Sequence, residues 1–310
     1  MKNIIFLLSI LFLISCANNE KEKNDLSKEN LKGNVKSVKK NSFVAVDKFG
    51  EISKGGRLKE QDFMNHQIFD NKGNQTERNG YYSDGSLSNK WTYKHDDKGN
   101  QIERNGYDSD GSLSFKWTYK HDDKGNQIES NIIYDSDGSL SFKWTYKHDD
   151  KGNQTERNII YDSDGSLCFK WTYKHDNKGN KIERNGYDSD GSLSNKWTYK
   201  HDDKGNQIEG NCYDSNGSLS LKYTYKHDDK GNQIERIGYD SDGSFFNKWT
   251  YKDDDNGNLI ESNIIYDSDG SLSFKYNYEY TYDEKNNWIK CIEFINDIPL
   301  EIVEREIEYF

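Results

Sequence analysis

Residues 113–139 read L-S-F-K-W-T-Y-K-H-D-D-K-G-N-Q-I-E-S-N-I-I-Y-D-S-D-G-S, and near-copies of this stretch fill most of the chain. A large aromatic residue at the fifth position recurs in eight copies, at steps of 26 or 27 residues. These aromatic residues are Trp91, Trp117, Trp144, Trp171, Trp197, Tyr223, Trp249 and Tyr276. A fixed period in this range is typical of repeat proteins, in which each unit packs mainly on its neighbours.

Each unit contains two stretches in which apolar and polar residues alternate. In residues 113–121 the apolar and aromatic side chains, Trp117 among them, share one face, which is the pattern of a half-buried strand. Residues 127–135 form a second such strand, and the Asp-Gly pair that follows signals a tight turn. Between the strands lies D-D-K-G-N, whose glycine suits the left-handed conformation of a hairpin loop. The turn glycines are Gly73, Gly99, Gly125, Gly152, Gly179, Gly205, Gly231 and Gly257.

The units predict an all-β fold: an elongated, coiled antiparallel β-meander of about eight tandem two-strand repeats. The aromatic face cannot stay bare in water, and we expect sheet twist to coil the ribbon so that this face lines an interior. On the opposite face we expect cross-strand Lys–Glu pairs. Residues 70–282 are assigned to the repeat array, 33–69 to N-terminal cap strands and 283–310 to C-terminal cap strands. The charged last strand is expected to blunt the free edge of the sheet.

The two repeat lengths pose a question of register. The 27-residue units contain N-I-I-Y, whereas most 26-residue units contain N-G-Y, as at Asn105-Gly106-Tyr107. Because the side-chain period of a strand is two, losing one residue would reverse the faces of everything that follows. A bulge at Gly106 or a change in the turn is expected to absorb the difference.

The first residues have the pattern of a secretion signal. Lys2 precedes a short apolar run, Ile4 to Ile14, and residues 1–15 therefore read as a signal peptide. Leu13-Ile14-Ser15-Cys16 resembles the lipobox of bacterial lipoproteins, which implies cleavage before Cys16 and acylation of that residue. An ordinary signal peptide or an anchor helix with a chance cysteine is the alternative. Residues 16–32 are polar, highly charged and aperiodic, and they predict a flexible tether.

Composition and charge exclude several classes of protein. The chain has 310 residues, a net charge of -11 and a single proline, so the basic face of nucleic-acid-binding proteins is missing. Besides Cys16, the chain contains Cys168, Cys212 and Cys291, an odd number that argues against a disulfide framework. The 14% of aromatic residues supply much of the apolar surface that the chain can bury.

The repeated decapeptide supports a family resemblance. Residues 119–128, Y-K-H-D-D-K-G-N-Q-I, resemble the YD repeat of RHS-type proteins, and the units resemble those of Bacteroidota-type lipoproteins still more closely. The resemblance covers about residues 60–290 and implies a spiralling β-sheet. Large RHS proteins enclose a toxin, and this chain has no C-terminal toxin domain and has His where the family usually has Tyr before Asp. Tyr81 to Leu87 more weakly resembles choline-binding or glucan-binding repeats.

The recurring histidines and aspartates suggest metal sites, but their spacing does not support them. His95, His121, His148, His175, His201 and His227 occupy one position of the repeat, and Asp253 replaces them in the seventh unit. Equivalent atoms of successive hairpins lie roughly 10 Å apart, too far for one ion to bridge. Asp108-Ser109-Asp110-Gly111 partly matches calcium loops, but its Gly comes too early for an EF-hand. We predict no cofactor, and calcium is the alternative.

Near-identical units supply a repeated surface rather than the unique, asymmetric set of groups that catalysis needs. We therefore predict a protein that is not an enzyme: an exported lipoprotein whose array serves as an interaction module or a spacer. Its membrane contact would be the lipid at Cys16, and Ala17 resembles the sorting position of outer-membrane lipoproteins, which implies an outer-membrane or cell-surface location. Binding of wall or host glycans is the main alternative, and a toxin-related shell is the third. The partner, a glycan or a protein, is left open.

Overall fold

The computed structural model of the protein describes residues 24–57, 64–133, 140–161, 165–266, 271 and 273–310. These residues form one short helix, α1 (Asp25–Lys28), and 21 strands. The strands are β1 (Val35–Lys48), β2 (Glu51–Arg57), β3 (Met64–Phe69), β4 (Gln75–Tyr81), β5 (Leu87–His95), β6 (Gln101–Asp108), β7 (Leu113–His121), β8 (Gln127–Ile133), β9 (Leu140–His148), β10 (Gln154–Tyr161), β11 (Leu167–His175), β12 (Lys181–Asp188), β13 (Leu193–His201), β14 (Gln207–Tyr213), β15 (Leu219–His227), β16 (Gln233–Asp240), β17 (Phe245–Asp253), β18 (Leu259–Ile265), β19 (Phe274–Tyr282), β20 (Trp288–Ile295) and β21 (Ile298–Tyr309).

The strands form one antiparallel sheet that closes on itself. From β3 to β21 each strand pairs with the next one along the chain, as in β6 with β7 and β7 with β8. Strand β1 pairs with β3 on one side and with β21 on the other, so 20 strands form a closed barrel. Strand β2 lies outside this ring as a hairpin partner of the second half of β1. No described helix is long and apolar enough to cross a membrane.

The prediction of an all-β antiparallel fold is confirmed, but the prediction of an elongated open meander is wrong. The last strand, expected to be a charged free edge, is paired along its length with β1. Its glutamates contact lysines across the closure, with the Lys36 ammonium 3.8 Å from Glu308 and the Lys39 ammonium 3.7 Å from Glu306. The alternating charges of β21 therefore match a partner strand rather than repel one.

The two repeat lengths do not change the pairing of the aromatic positions. Arg104 is opposite Trp117 after a 26-residue step, and Ser130 is opposite Trp144 after a 27-residue step. In both types of unit a β-bulge follows these pairs, and pairing resumes at Leu113 in the short unit and at Leu140 in the long unit. The long unit thus has six residues between its last paired positions, 134–139, where the short unit has five, 108–112; residues 134–139 lie outside the described part of the chain.

A network of aspartate and asparagine stabilises the D-D-K-G-N turns. In the turn between β7 and β8, Asp122 accepts hydrogen bonds from the backbone N–H groups of Lys124 (3.0 Å) and Asn126 (2.8 Å). The Asn126 carboxamide donates to the second Asp122 oxygen at 2.9 Å. Gly125 has a φ of 87°, in the left-handed region that residues with a Cβ rarely adopt. The equivalent glycines Gly73, Gly99, Gly152, Gly179, Gly205, Gly231 and Gly257 also have positive φ values, between 80° and 92°.

The N-terminal segment, residues 24–34, crosses the ring at the end that carries these turns. The Asn24 side chain donates to the Lys72 carbonyl oxygen at 2.8 Å, and the Asn30 side chain donates to the Asn256 carbonyl oxygen at 3.1 Å. Along the wall these two turns are separated by six strands, roughly 29 Å at the usual strand spacing. Residues 24–30 include a helical turn and span only about 13 Å. The segment therefore crosses the ring directly instead of following the wall, and it lies on the concave side of the sheet.

The segment identifies the aromatic face as the inner face. The Asp25 carboxylate lies 3.4 Å from Nε2 of His95, which shares its strand face with Trp91 and Tyr93. Leu26 and Leu31 of the segment are buried in a cluster with Val35, Val38 and Phe69. Residues 24–32, assigned to a flexible tether by their sequence, are thus folded against the wall.

The outer face carries ladders of lysine and glutamate, as predicted. Glu103 contacts the ammonium groups of Lys94 (2.8 Å) and Lys116 (3.0 Å) and accepts a hydrogen bond from Asn105 (2.9 Å). The contact with Lys94 is the main cause that lowers the pKa of Glu103 to about 2. The same bridge recurs in five other units, at Glu129, Glu156, Glu183, Glu209 and Glu235. Charges at this density are costly in hydrocarbon and are suited to water.

Candidate binding surface on the inner face

The inner face carries a ladder of aromatic rings whose neighbours alternate between rings and guanidinium groups. The Arg104 guanidinium lies 3.9 Å from the centre of the Trp91 ring, and that of Arg236 lies 5.5 Å from Tyr223 and 5.3 Å from Trp249. These distances allow cation–π contact. Arg236 therefore fills the space between the rings of two neighbouring units.

Two units that lack this arginine bring their rings into direct contact. Ser130 replaces the arginine between Trp117 and Trp144, whose ring centres are 5.1 Å apart. Gly210 replaces it between Trp197 and Tyr223, which stack at 6.3 Å. The small residue leaves room that the two rings close by stacking on each other.

Gly106 of a short unit and Ile132 of a long unit occupy equivalent places between two rings. In the short unit Gly106 lies between Trp91 and Phe115, whose rings stack at 5.6 Å and 11°. In the long unit Ile132 takes the equivalent place and is buried, with 3% of its surface exposed. Glycine thus permits ring-on-ring packing where isoleucine fills the gap itself.

The predicted repeat aromatics line the interior without being fully buried. All eight, Trp91, Trp117, Trp144, Trp171, Trp197, Tyr223, Trp249 and Tyr276, are half-buried. Fully buried apolar residues of the described chain instead cluster near the N-terminal segment and the ring closure, with isolated cases such as Ile132 and Ile264. Antiparallel barrels of 16 to 18 strands already leave an aqueous channel. The side chains of the wall therefore line the interior of this barrel but do not fill it.

The recurring histidines lie on the inner face near the turn end of the ring. Burial lowers the pKa of His121, His201 and His227, so these rings are neutral at pH 7. Their Nδ1 atoms are buried and have no hydrogen-bond partner among the described residues. At the seventh unit, burial raises the pKa of Asp253. The described residues contain no group of three or more His, Cys, Asp or Glu side chains arranged to hold a metal ion.

His95 differs from its five copies because α1 covers it. Asp25 of α1 accepts the backbone N–H of Gln75 at 2.7 Å and is paired with both His95 and Lys28. Although burial raises the pKa of Asp25, the hydrogen bonds from His95 and Lys28 hold it well below its usual range. This carboxylate therefore attaches α1 to the wall while ionised.

A cavity of about 680 Å³ lies beside α1, between the helix and the inner face. Its lining includes Lys28 of α1, Lys72 and Lys98 of two neighbouring turns, and Tyr119 and Gln127 of the wall. A smaller cavity of about 150 Å³ lies at Asp228, Asp253, Asp254 and Asp255, with Lys230 and Lys252 beside them. Both occur where the grooves between hairpins open at the turn end, but their charge differs.

The thiols show no sign of a reactive site. Cys16 lies outside the described residues, and Cys168, Cys212 and Cys291 are free thiols. Burial raises the pKa of Cys212 and raises that of Cys291 to about 12, so both are protonated at pH 7. Thiolates are the reactive form of cysteine, and these two residues are therefore structural.

The comparisons with known proteins give remote matches in fold. No protein-family model and no curated protein matches the chain. A porin-like protein from Bacteroides uniformis is 10% identical and has a TM-score of 0.37, with 88% of this chain and 96% of that chain covered. A porin-like protein from Bacteroides vulgatus is 11% identical with a TM-score of 0.31, covering 89% and 98%.

A third similar structure is that of TcdB2-TccC3-Cdc42, at 11% identity and a TM-score of 0.33. The match covers 81% of this chain and spans only 15% of that much longer chain.

Two features of the inner face were missed in the sequence. The first is the arginine position, which the strings I-E-R-N, I-E-S-N and I-E-G-N already show as variable among otherwise constant units. The second is the pair Lys72 and Lys98, which look like all other turn lysines in the sequence. Only the position of α1 distinguishes them, and no repeat pattern could reveal it.

Proposed function

We propose that the chain is an exported, non-enzymatic lipoprotein, anchored through Cys16, that binds a ligand within its closed repeat wall. The observation that carries the proposal is the inner face, where half-buried rings and guanidinium groups line a space that the wall leaves unfilled. A lined and open interior is suited to taking up a guest, whereas a merely structural barrel would fill it.

The closed wall argues against a spacer. A spacer needs an array whose length grows with each unit, but here each unit adds to a circumference that the β1–β21 pairing closes. The strands have about nine residues, as in β7, which corresponds to a height of roughly 30 Å. A closed ring of this height is suited to presenting a binding surface and not to separating two other structures.

The folded N-terminal segment supports an anchored arrangement. The chain enters the wall at Asn24, on the end of the ring that carries the D-D-K-G-N turns. Seven residues separate Cys16 from Asn24, so the two lie at most about 28 Å apart when the chain is fully extended. If Cys16 is acylated, this end faces the bilayer, and the charged outer face stands in water.

The anchoring is tested by replacing Cys16 with serine in the full chain, expressed in a bacterium that processes lipoproteins. We expect wild-type protein to incorporate labelled palmitate and to fractionate with membranes, and Cys16→Ser to do neither. Cys168→Ser is the control, because Cys168 is a free thiol within the wall. Equal labelling of Cys16→Ser and wild type would contradict the anchor, and protease treatment of intact cells would report a cell-surface location.

Carbohydrate binding is the second candidate. The observation in its favour is the large cavity, whose lining of carboxamides, lysines and Tyr119 matches the polar groups of a sugar. Broad stacking of sugars along the aromatic ladder is less well supported, because arginine or neighbouring rings occupy faces of rings such as Trp91 and Trp117. A glycan array probed with the full chain separates saccharide binding from protein binding.

A further inference from the structure

We propose that the cavity between α1 and the inner face binds a small saccharide that carries a carboxylate. This inference rests on the proposed function and names the class of ligand and its location. The volume of about 680 Å³ lies within the range of small-molecule sites, roughly 300–1,000 Å³. The site joins a segment that occurs once in the chain to a wall of repeated units, and it is therefore unique.

The charge of the lining favours an anion. Three lysines and a single carboxylate, Asp97, line the cavity of a chain whose net charge is -11. The Lys28 ammonium is neutralised by Asp25 at 2.8 Å. Lys98 donates one hydrogen bond to the Asp123 carbonyl oxygen at 2.9 Å and keeps two N–H groups for a ligand. The Lys72 ammonium has no partner among the described residues, so a carboxylate would find two available cations.

The uncharged groups favour hydroxyls beside that carboxylate. The Gln127 carboxamide lines the cavity without a hydrogen-bond partner in the described part of the chain. His121 lines it as a neutral ring, because burial lowers its pKa. Tyr119, which stacks on Trp117 with ring centres 6.3 Å apart, adds an aromatic surface. Donors and acceptors next to a ring and two ammonium groups match a sugar acid better than an inorganic anion or an apolar acid.

The smaller cavity shows that this chemistry is local. At the equivalent end of the wall, the carboxylates of Asp228, Asp253, Asp254 and Asp255 outnumber the lysines. A sugar acid would be repelled there. The acidic character of the smaller cavity follows from the sequence of the seventh unit, where Asp253 replaces the recurring histidine and Asn256 replaces the turn lysine.

The test is isothermal titration calorimetry on the full chain in detergent, with trigalacturonate as the anionic probe and maltotriose as the neutral one. The double variant Lys72→Gln with Lys98→Gln removes the two available charges. The matched control is Lys178→Gln with Lys204→Gln. Lys178 donates to the Asp203 carbonyl oxygen at 3.0 Å as Lys98 does to Asp123, and the Lys204 ammonium, like that of Lys72, has no partner among the described residues.

We expect trigalacturonate to bind the wild type, to bind the control variant equally, and to bind the Lys72/Lys98 variant at least about tenfold more weakly. Binding should also weaken as salt is added. Equal losses in both variants, or no binding of trigalacturonate, would overturn the assignment. Binding of maltotriose alone would overturn the anionic ligand while leaving a saccharide-binding function. Failure of both probes would not affect the palmitate test at Cys16, which judges the anchored function separately.

Discussion

Replacing Gly106 with alanine tests whether ring stacking on the inner face contributes to stability. An alanine Cβ there would lie 2.7 Å from carbons of both the Phe115 and Trp91 rings, whereas carbon atoms normally approach to about 3.5–4.0 Å. Both rings must therefore shift by about 1 Å. Loss of the stacked pair costs about 0.5–1.5 kcal/mol and overpacking about 1–3 kcal/mol, while the stiffer unfolded chain returns about 0.4–1 kcal/mol. The net destabilisation should be about 1–3 kcal/mol.

The assay is urea unfolding of the full chain in detergent, followed by circular dichroism. The control is Gly56→Ala in β2, because a Cβ built at Gly56 has nothing within 4 Å. We expect Gly106→Ala to lower the unfolding midpoint without changing the slope, and Gly56→Ala to leave it unchanged or slightly raised. A Gly106→Ala protein as stable as the wild type would refute the reasoning, because the rings would then not be held against the glycine.

Three further predictions follow from the wall, its charges and the N-terminal segment. The pKa of Glu103 is lowered to about 2, so its contribution to stability is complete above about pH 5 and is lost as the pH falls from about 4.5 toward 2. The melting temperature of Glu103→Gln should therefore lie below that of the wild type by a constant amount from pH 6 to 8, and this difference should shrink as the pH falls below 4.5; an unchanged difference down to pH 3 would contradict this. Asp25→Asn removes the ionised acceptor that attaches α1 to the wall, so trypsin should cut within residues 24–34 several-fold faster. Glu29→Gln, which changes an exposed carboxylate of the same segment, is the control. An unchanged cleavage rate in Asp25→Asn would show that Leu26 and Leu31 hold the segment without this carboxylate. Deleting residues 193–218, one whole unit, should leave a folded ring with two strands fewer and a smaller radius of gyration by X-ray scattering, whereas collapse to an unfolded chain would show that the units are not modular.

The strands and turns could be predicted because the sequence of each unit contains local signals for both. Alternation in residues 113–121 places Trp117 and Tyr119 on one face, and the D-K-G-N string sets a turn whose glycine has positive φ. Because the units are near-copies, a correct secondary-structure prediction for one unit applies to all of them. The outer Lys–Glu ladder follows from the same alternation, since Lys116 and Glu103 fall on the face opposite the rings.

Closure could not be read from these local signals. Whether a coiled ribbon stays open depends on the twist summed over all strands and on the fit of its two ends. The first strand, β1, has no copy elsewhere in the chain, and its register with β21 pairs Lys39 with Glu306, more than 260 residues away. The alternating charges of β21 fit a solvent-facing edge equally well. The sequence alone therefore leaves both arrangements open.

The folded N-terminal segment was hidden by its composition. Residues 24–31 read N-D-L-S-K-E-N-L, which is polar enough to suggest a tether. Two signals were present: the Asn24 side chain caps α1 by accepting the Ser27 N–H at 3.1 Å, and Leu26 and Leu31 are the apolar residues that become buried. Such a short segment gains its stability from the wall that it contacts, which a local reading does not include.

Closure and the N-terminal segment together explain how near-identical units can carry a unique site. An antiparallel ring closes only with an even number of strands, and every two-strand unit preserves that parity, so copies can be gained or lost around most of the circumference. A segment that crosses the ring distinguishes the few units that it touches from all others. His95, Lys72 and Lys98 differ from their copies only by their position beside α1. Ligand selectivity is therefore expected to reside at this junction, and exchange of units elsewhere in the wall should leave it unchanged.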